Sequence, residues 1–511
     1  MSEAASEQWV IDLPDEAATR SLAVMLAGMV GAGDLVTLSG DLGAGKTTFA
    51  RAMIRRLVDD EKLETPSPTF TLMQVYEGAA FPIVHADLYR IADPAELAEL
   101  GWDEATDRAL VLVEWAERAG GLLAADHIDV ALTIPREGAE TRRRATLTGA
   151  GSYAPAIARA KAIAGILRTA GWADASRAFM LGDASTRAYE RLTKPNGSTA
   201  ILMISPPRPD GPPVRFGKPY SAIARLAENI RPFVAMSQAL RAQGLSAPQV
   251  YAADLDQGYA VLEDLGAEGV VDANGPIVER YEEAAGVLAH LHGRALPDLV
   301  DLADGSDYRI PPYDLDALLI EVELLVEWYA PHIARAGLSS GQRAIFINLW
   351  RHAALEIAHA APTWTLRDYH SPNILWLPQR EGLQRIGVID FQDCVMGHPA
   401  YDLVSLLQDA RVTVPDDVEL RLLSRYMQMR RAQDAHFDMA AFARAYAVLG
   451  AQRATKILGI FARLDKRDRK PHYLAHMPRV SHYLRKNMKH PALAELRGWF
   501  EAHLPRLLEE R

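Results

Sequence analysis

Eight residues early in the chain, Gly40-Asp41-Leu42-Gly43-Ala44-Gly45-Lys46-Thr47, have the spacing G-x-x-x-x-G-K-[ST]. Gly40, Gly43 and Gly45 let backbone N–H groups converge on phosphate oxygens. Lys46 can then reach the β- and γ-phosphates, and Thr47 can ligate Mg2+. Far along the chain stands a second constellation, Leu366-Arg367-Asp368-Tyr369-His370-Ser371-Pro372-Asn373, followed by Ile389-Asp390-Phe391. Asp368 and Asn373 are five residues apart, and Asp390 lies 17 residues after Asn373. Phosphoryl transfer to a hydroxyl needs a carboxylate to accept the proton, with an amide and a second carboxylate to hold Mg2+. Asp368, Asn373 and Asp390 fill those roles in that order. One nucleotide site does not need both constellations, so the simplest reading is two enzymes in one polypeptide.

Each set requires elements to position it. Leu35–Leu38 reads as a buried strand entering the glycine loop. After Lys46, the run TTFARAMIRRLV puts Phe49, Met53 and Leu57 on one helical face. Strand, glycine loop and helix together make a P-loop, with Thr47 and Thr48 at the positive end of the helix dipole. An ATPase of this kind also needs an acid at the end of a neighbouring strand. Asp87 after Ile83-Val84 and Glu114 after Ala109–Val113 are the candidates, the first for Mg2+ and the second for the attacking water. Between them and the loop lies Thr65-Pro66-Ser67-Pro68-Thr69-Phe70-Thr71, whose hydroxyls, Thr69 included, suit a switch ordered by a γ-phosphate.

For the second set, strands are expected at Trp364–Leu366, Ile374–Leu377 and Ile386–Ile389. GDASTRAYERL (182–192) stands where a phosphate-covering hairpin belongs, with Ser185 and Thr186 as candidate phosphate contacts. The next strand, STAILMIS, contains no lysine for the α- and β-phosphates. Lys194 and Lys218 are the alternatives. YAVLEDLG (259–266) reads as the strand-to-hinge segment that would meet adenine. From residue 281 on, amphipathic runs such as LDALLIEVELLVEWYA indicate helices with core-facing stripes.

Bulk properties agree. A chain of 511 residues is too long for one core. Its net charge of −11 argues against a dedicated nucleic-acid binder. The single cysteine, Cys394, excludes an intrachain disulfide and indicates a reducing compartment. The N-terminus is acidic, without an apolar signal core, and no apolar run is long enough to span a membrane. A cytoplasmic protein is expected. Gly149, Gly151, Ser152 and Pro155 punctuate the junction, giving domains 1–152 and 153–511.

GDLGAGKTT, SPTF, HADLYR and LVEWAER, in this order, resemble the TsaE family of P-loop ATPases in bacterial threonylcarbamoyladenosine tRNA modification. Ala116 stands where that family usually has proline. The resemblance implies an α/β P-loop NTPase domain that uses ATP and Mg2+ and docks on TsaB and TsaD, meeting tRNA only through that complex. It also makes Trp115 a candidate neighbour of the adenine. LRDYHSPNILWL, IDFQDCVMGHPAYDLVSLLQD and KILGIFARLDKRDRKPHYLAHMPRVSHYL resemble the aminoglycoside phosphotransferase superfamily, and within it the AmgK branch. Leu366 replaces a histidine common in that superfamily. This likeness implies an α+β, two-lobed, protein-kinase-like domain phosphorylating the C1 hydroxyl of an amino sugar, N-acetylmuramate or N-acetylglucosamine, in cell-wall recycling. It also implies that Asp402 braces the catalytic loop. Choline, an aminoglycoside or another small alcohol remain alternative acceptors, and a non-catalytic nucleotide-binding regulator is the alternative from another class.

Overall fold

The computed structural model describes residues 6–78, 80–99, 101–136, 141–180, 187–208 and 211–509. The chain divides into two compact units, 1–165 and 166–511. The division falls inside the helix Ala154–Thr169, beyond the boundary expected at residue 152. The glycine-rich punctuation ends the last strand of the first unit, and the helix then adds Ile157 to that unit's core. Among the described residues, no helix is long and apolar enough to cross a membrane.

The first unit is a seven-stranded sheet of β1 (Ser6–Leu13), β2 (Leu35–Ser39), β3 (Met73–Glu77), β4 (Pro82–Asp87), β5 (Leu110–Glu114), β6 (Ile128–Thr133) and β7 (Arg143–Ala150). Their order is β1-β7-β6-β2-β5-β4-β3, with β6, β2, β5 and β4 parallel. Parallel strands are covered on both faces, so they read as continuous apolar runs. All five residues of β5 are buried. Side-chain alternation divides them between two cores. Val36, Leu38, Leu110 and Leu112 pack with Phe49 and Met53 of helix α1 (Lys46–Val58). Leu35, Val111 and Val113 pack on the opposite face. Glu114 has the parity of Leu110 and Leu112, so its carboxylate faces the start of α1. Asp87 pairs with Glu114 in register. Both acids therefore stand at the carboxyl edge of the parallel strands, where ligands of such sheets bind.

The second unit begins with a five-stranded antiparallel sheet. Its order is Val250–Asp254, Tyr259–Glu263, Thr199–Ile204, Ala188–Thr193, Ser176–Met180. The rest is mainly helical. Two short ribbons, Thr363–Thr365 with Val395–Gly397 and Ile374–Trp376 with Ile386–Val388, carry the catalytic segments. The helix Met439–Lys466 runs through this core and packs on Leu315–Leu324 and the π-helical turns Leu325–Ala334 that follow. Gly459 allows the close approach: a Cβ there would lie 2.4 Å from the Leu324 carbonyl carbon. Gly459→Ala is expected to lower the stability of the second unit by about 1–3 kcal/mol through overpacking. The midpoint of denaturant unfolding, followed by tryptophan fluorescence, reads this out.

Candidate functional sites

In the first unit, backbone conformation shapes the phosphate loop. Gly40, Gly43 and Gly45 have φ of +125°, +77° and +107°. At Gly40 a Cβ would fall 2.0 Å from the Leu132 carbonyl oxygen, so this position excludes any side chain. Arg143 on β7 donates to the carbonyls of Ala44 and Gly43 at 3.1 and 3.2 Å, fixing the loop from the other side. Lys46 is buried, and its ammonium donates to the carbonyls of Gly40 and Asp41 at 2.7 and 3.1 Å. Burial lowers its pKa, against the opposing pull of Glu114 and Asp87. Thr48, half-buried, follows Thr47 in the first turn of α1.

The Thr47 hydroxyl donates to Glu114 Oε2 at 3.1 Å, while Glu114 Oε1 lies 3.0 Å from His85 Nε2. Asp87 Oδ2 accepts from the Ser67 and Thr69 hydroxyls at 2.8 and 3.0 Å. The switch segment is thereby tied to the acid beside the phosphate loop. Trp115 adopts φ +61°, and its ring centroid lies 3.9 Å from the Lys46 ammonium. The ring thus stands beside the lysine of the phosphate loop. A hydroxyl and carboxylates converging here are hard oxygen donors that suit Mg2+.

In the second unit, Asp402 organises the catalytic loop. Its two carboxylate oxygens accept the backbone N–H groups of Leu366 and Arg367 at 2.7 and 2.8 Å. Arg367 and Asp390 both adopt left-handed backbone, at φ +65° and +59°. Asn373 Nδ2 donates to the Asp368 carbonyl at 3.0 Å and lies 3.4 Å from Asp390 Oδ2. Its amide oxygen and the Asp390 carboxylate are again hard donors, and the small number of protein ligands suits an ion that keeps waters and substrate phosphates.

Burial alone would raise the Asp368 pKa. Arg453, His370, Lys456 and Arg367 outweigh burial and hold it at about 2. Asp390 is shifted upward, first by burial and then by the charge of Asp368. Asp368, His370, Asn373, Asp390, Arg453 and Lys456 line a cavity of about 910 Å3. One end of the cavity is walled by Ile201, Leu262 and the segment through Gly266.

Residues 13–145 match the family described as threonylcarbamoyl adenosine biosynthesis protein TsaE. Residues 178–437 match the phosphotransferase enzyme family. The chain is 40% identical over 359 residues to an N-acetylmuramate/N-acetylglucosamine kinase of Caulobacter vibrioides, covering 68% of this chain and 97% of that protein. A kinase of the same description from Pseudomonas putida is 32% identical over 323 residues, covering 61% of this chain and 84% of its own length. The tRNA threonylcarbamoyladenosine biosynthesis protein TsaE of Rickettsia felis is 43% identical over 122 residues, 24% of this chain and 71% of that protein. The chain belongs to both families. It joins a TsaE ATPase domain to a phosphotransferase domain, and it is an enzyme in both parts. Both families work with ATP and, in general, Mg2+.

The phosphotransferase domain departs from some expectations. Ser185 and Thr186 lie outside the described residues. Neither Lys194 nor Lys218 lines the cavity. Lys194 instead covers the Trp172 ring, with its ammonium 4.5 Å from the centroid, and Lys218 is exposed on a short ribbon. His370, given no role from sequence, is buried on the cavity wall, where burial pushes its imidazole down to about 4. Arg453 and Lys456, one turn apart on the helix Met439–Lys466, also reach the wall, and Arg453 Nη2 lies 3.7 Å from Asp368 Oδ1. No local motif marks Arg453, and Lys456 opens the segment KILGIFARLDK, to which the sequence reading gives no catalytic role.

In the TsaE domain, sequence reasoning missed His85. Period two from Asp87 would have placed it on the same face. Asp402→Asn keeps one acceptor oxygen and leaves one loop N–H without a partner. A loss of about 1–3 kcal/mol is expected in unfolding of the second unit, with kcat of the phosphotransferase lowered and ATP hydrolysis by the first unit unaltered. Chemical denaturation and the two activity assays check this together.

Proposed function

We propose that the TsaE domain hydrolyses ATP in support of tRNA threonylcarbamoyladenosine formation while docked on TsaB and TsaD. We further propose that the second domain transfers the γ-phosphoryl group of ATP to the C1 hydroxyl of N-acetylmuramate or N-acetylglucosamine, and that both activities are cytoplasmic. The observation that carries the kinase reading is the meeting of Asp368, Asn373 and Asp390 on one cavity wall, in a domain related end to end to kinases of that description.

In this reading Asp368, ionised, accepts the hydrogen bond of the attacking hydroxyl and takes its proton as the new O–P bond forms and ADP departs. Asp390 and Asn373 would hold Mg2+, which supplies neutralising charge at the β- and γ-phosphates. Leu262 to Gly266 faces the adenine. In the TsaE domain, Lys46, now on the carbonyls of Gly40 and Asp41, would hold phosphate oxygens, and the Thr47 hydroxyl, now on Glu114, would be a ligand for Mg2+. Glu114, held by His85, is then available to orient the attacking water. Asp87 supports the metal and, through Thr69, the switch segment.

Four outcomes are expected. Lys46→Ala abolishes ATP hydrolysis by the first unit and leaves sugar phosphorylation at the wild-type rate; loss of both activities in a folded variant would refute separate sites. Asp368→Asn lowers sugar phosphorylation by a factor on the order of 10²–10⁴ while ATP still binds. The product is a sugar 1-phosphate, so it fails a reducing-end assay and is labile in acid; a product that retains its reducing end places the phosphate elsewhere. Slow hydrolysis by the TsaE domain should rise on addition of TsaB and TsaD, since a P-loop site without a positioned cationic finger is slow. Turnover indifferent to those proteins counts against the docking.

A further inference from the structure

The second unit lacks the strand lysine that kinase-like enzymes direct at the α- and β-phosphates. Of the five arginines that line its cavity, three, Arg187, Arg191 and Arg208, stand on or just beyond the strands of the antiparallel sheet, where that lysine would be. Their positions follow from the sheet. Ala188 pairs with Ile204 at the end of two neighbouring strands, so Arg187 enters the sheet where Ser205 leaves it. Arg208 follows three residues after Ser205, which itself lines the cavity. Two cations thus come from adjacent strand ends to one place.

The three arginines have different partners. Arg191 is ion-paired with Asp264 at 3.1 Å, on the segment that walls the adenine end. Arg187, whose side chain is only 14% exposed, lies 3.5 Å from Asp390 Oδ1. Among the described residues, no carboxylate pairs with Arg208. Its pKa is lowered, first by burial and then by the charge of Arg187. Two like charges that repel each other beside the Asp390 carboxylate need an anion of higher charge to be at rest. With Asp390 engaged by a metal, the polyphosphate would offer the Arg187 guanidinium a second anion.

We propose that Arg187, with Arg208 beside it, is the phosphate-binding cation of the kinase site, taking the place of the strand lysine. This rests on the reading of the second unit as an ATP-dependent kinase, but on no particular acceptor. A guanidinium holds two phosphate oxygens in a planar fork, which an ammonium cannot do. Lysine should therefore be a partial substitute only.

The test is calorimetric titration of Mg2+ and a non-hydrolysable ATP analogue into the full chain carrying Lys46→Ala, alone and combined with Arg187→Met or Arg187→Lys. The first unit is then identical in all samples, and no sugar is present. Affinity of the second unit is expected to fall about tenfold or more in Arg187→Met and less in Arg187→Lys. Arg208→Met should give a smaller loss. In sugar phosphorylation the KM for ATP rises while the KM for the acceptor holds, and melting temperatures stay close to that of the parent. Unchanged nucleotide affinity in Arg187→Met overturns the proposal. So does a loss that vanishes when the titration is repeated in EDTA, because Arg187 would then act only through Asp390 and the metal. If Arg187→Met weakens the nucleotide but the wild-type chain phosphorylates neither amino sugar, the acceptor reading fails and this one stands.

Discussion

One carboxylate without solvent exposure, Glu321, ties the kinase site together. Arg367 of the catalytic loop and Lys456 of the long helix both ion-pair with its Oε1, the latter at 2.8 Å. The Tyr313 hydroxyl and the Gln452 amide donate to Oε2 at 2.6 and 3.0 Å. Burial pushes this carboxyl toward its neutral form, but Lys456 and Arg367 outweigh it and keep its pKa below the ordinary value. An isolated charge at such depth is very costly, and removing one partner of a buried pair typically costs 3–5 kcal/mol. Glu321 and its donors therefore hold as a unit or fail as a unit. Through them the loop, the helix Leu315–Leu324 and the helix Met439–Lys466 share one geometry. Gly459 completes that constraint by letting the two helices approach.

The two phosphate sites solve the same problem with different backbones. In the TsaE domain the donors are main-chain N–H groups. Fidelity there depends on residues without side chains, on the Arg143 contact to the loop carbonyls, and on a strand edge that brings Asp87 and Glu114 into register. In the kinase domain side chains do the holding. Asp402 fixes the loop through two backbone N–H groups, and Asn373 bridges the Asp368 carbonyl and Asp390. In both sites the residues poised for phosphate are paired inside the protein. Lys46 is bound to its own loop and Arg187 to Asp390.

What the sequence made legible follows from range. The glycine loop and the Asp368–Asn373–Asp390 set were readable because their residues are fixed by short spacings within a strand–loop element. The P-loop strand and helix were readable for the same reason, from an apolar run and from periodicity. Lys194 and Lys218 were poor guides because lysine was sought by type, whereas the positions facing the cavity are set by strand pairing and carry arginine. Arg453 and Lys456 were beyond reach, since only the course of a 28-residue helix brings them to Asp368. Glu321 sat within a run read as an apolar core stripe. It is in the core, as a charge. The contact of Trp115 with Lys46 depends on the left-handed turn after β5, which no spacing announces.

The charge pattern around Asp368 bears on how the proposed transfer proceeds. With a pKa of about 2, its carboxylate is ionised at any physiological pH, but it is a weak proton acceptor. Such a base cannot deprotonate a sugar hydroxyl before attack. It does not have to, because phosphoryl transfer passes in most analyses through a loose transition state in which the nucleophile carries little charge. The carboxylate is then needed to aim the hydroxyl at the phosphorus and to receive the proton late, when the O–P bond has formed and the hydroxyl has become acidic. Arg453, 3.7 Å from Asp368 Oδ1, fits that division of labour. It lowers the basicity of the carboxylate and at the same time restrains its position, and a late proton transfer tolerates the first effect while it gains from the second.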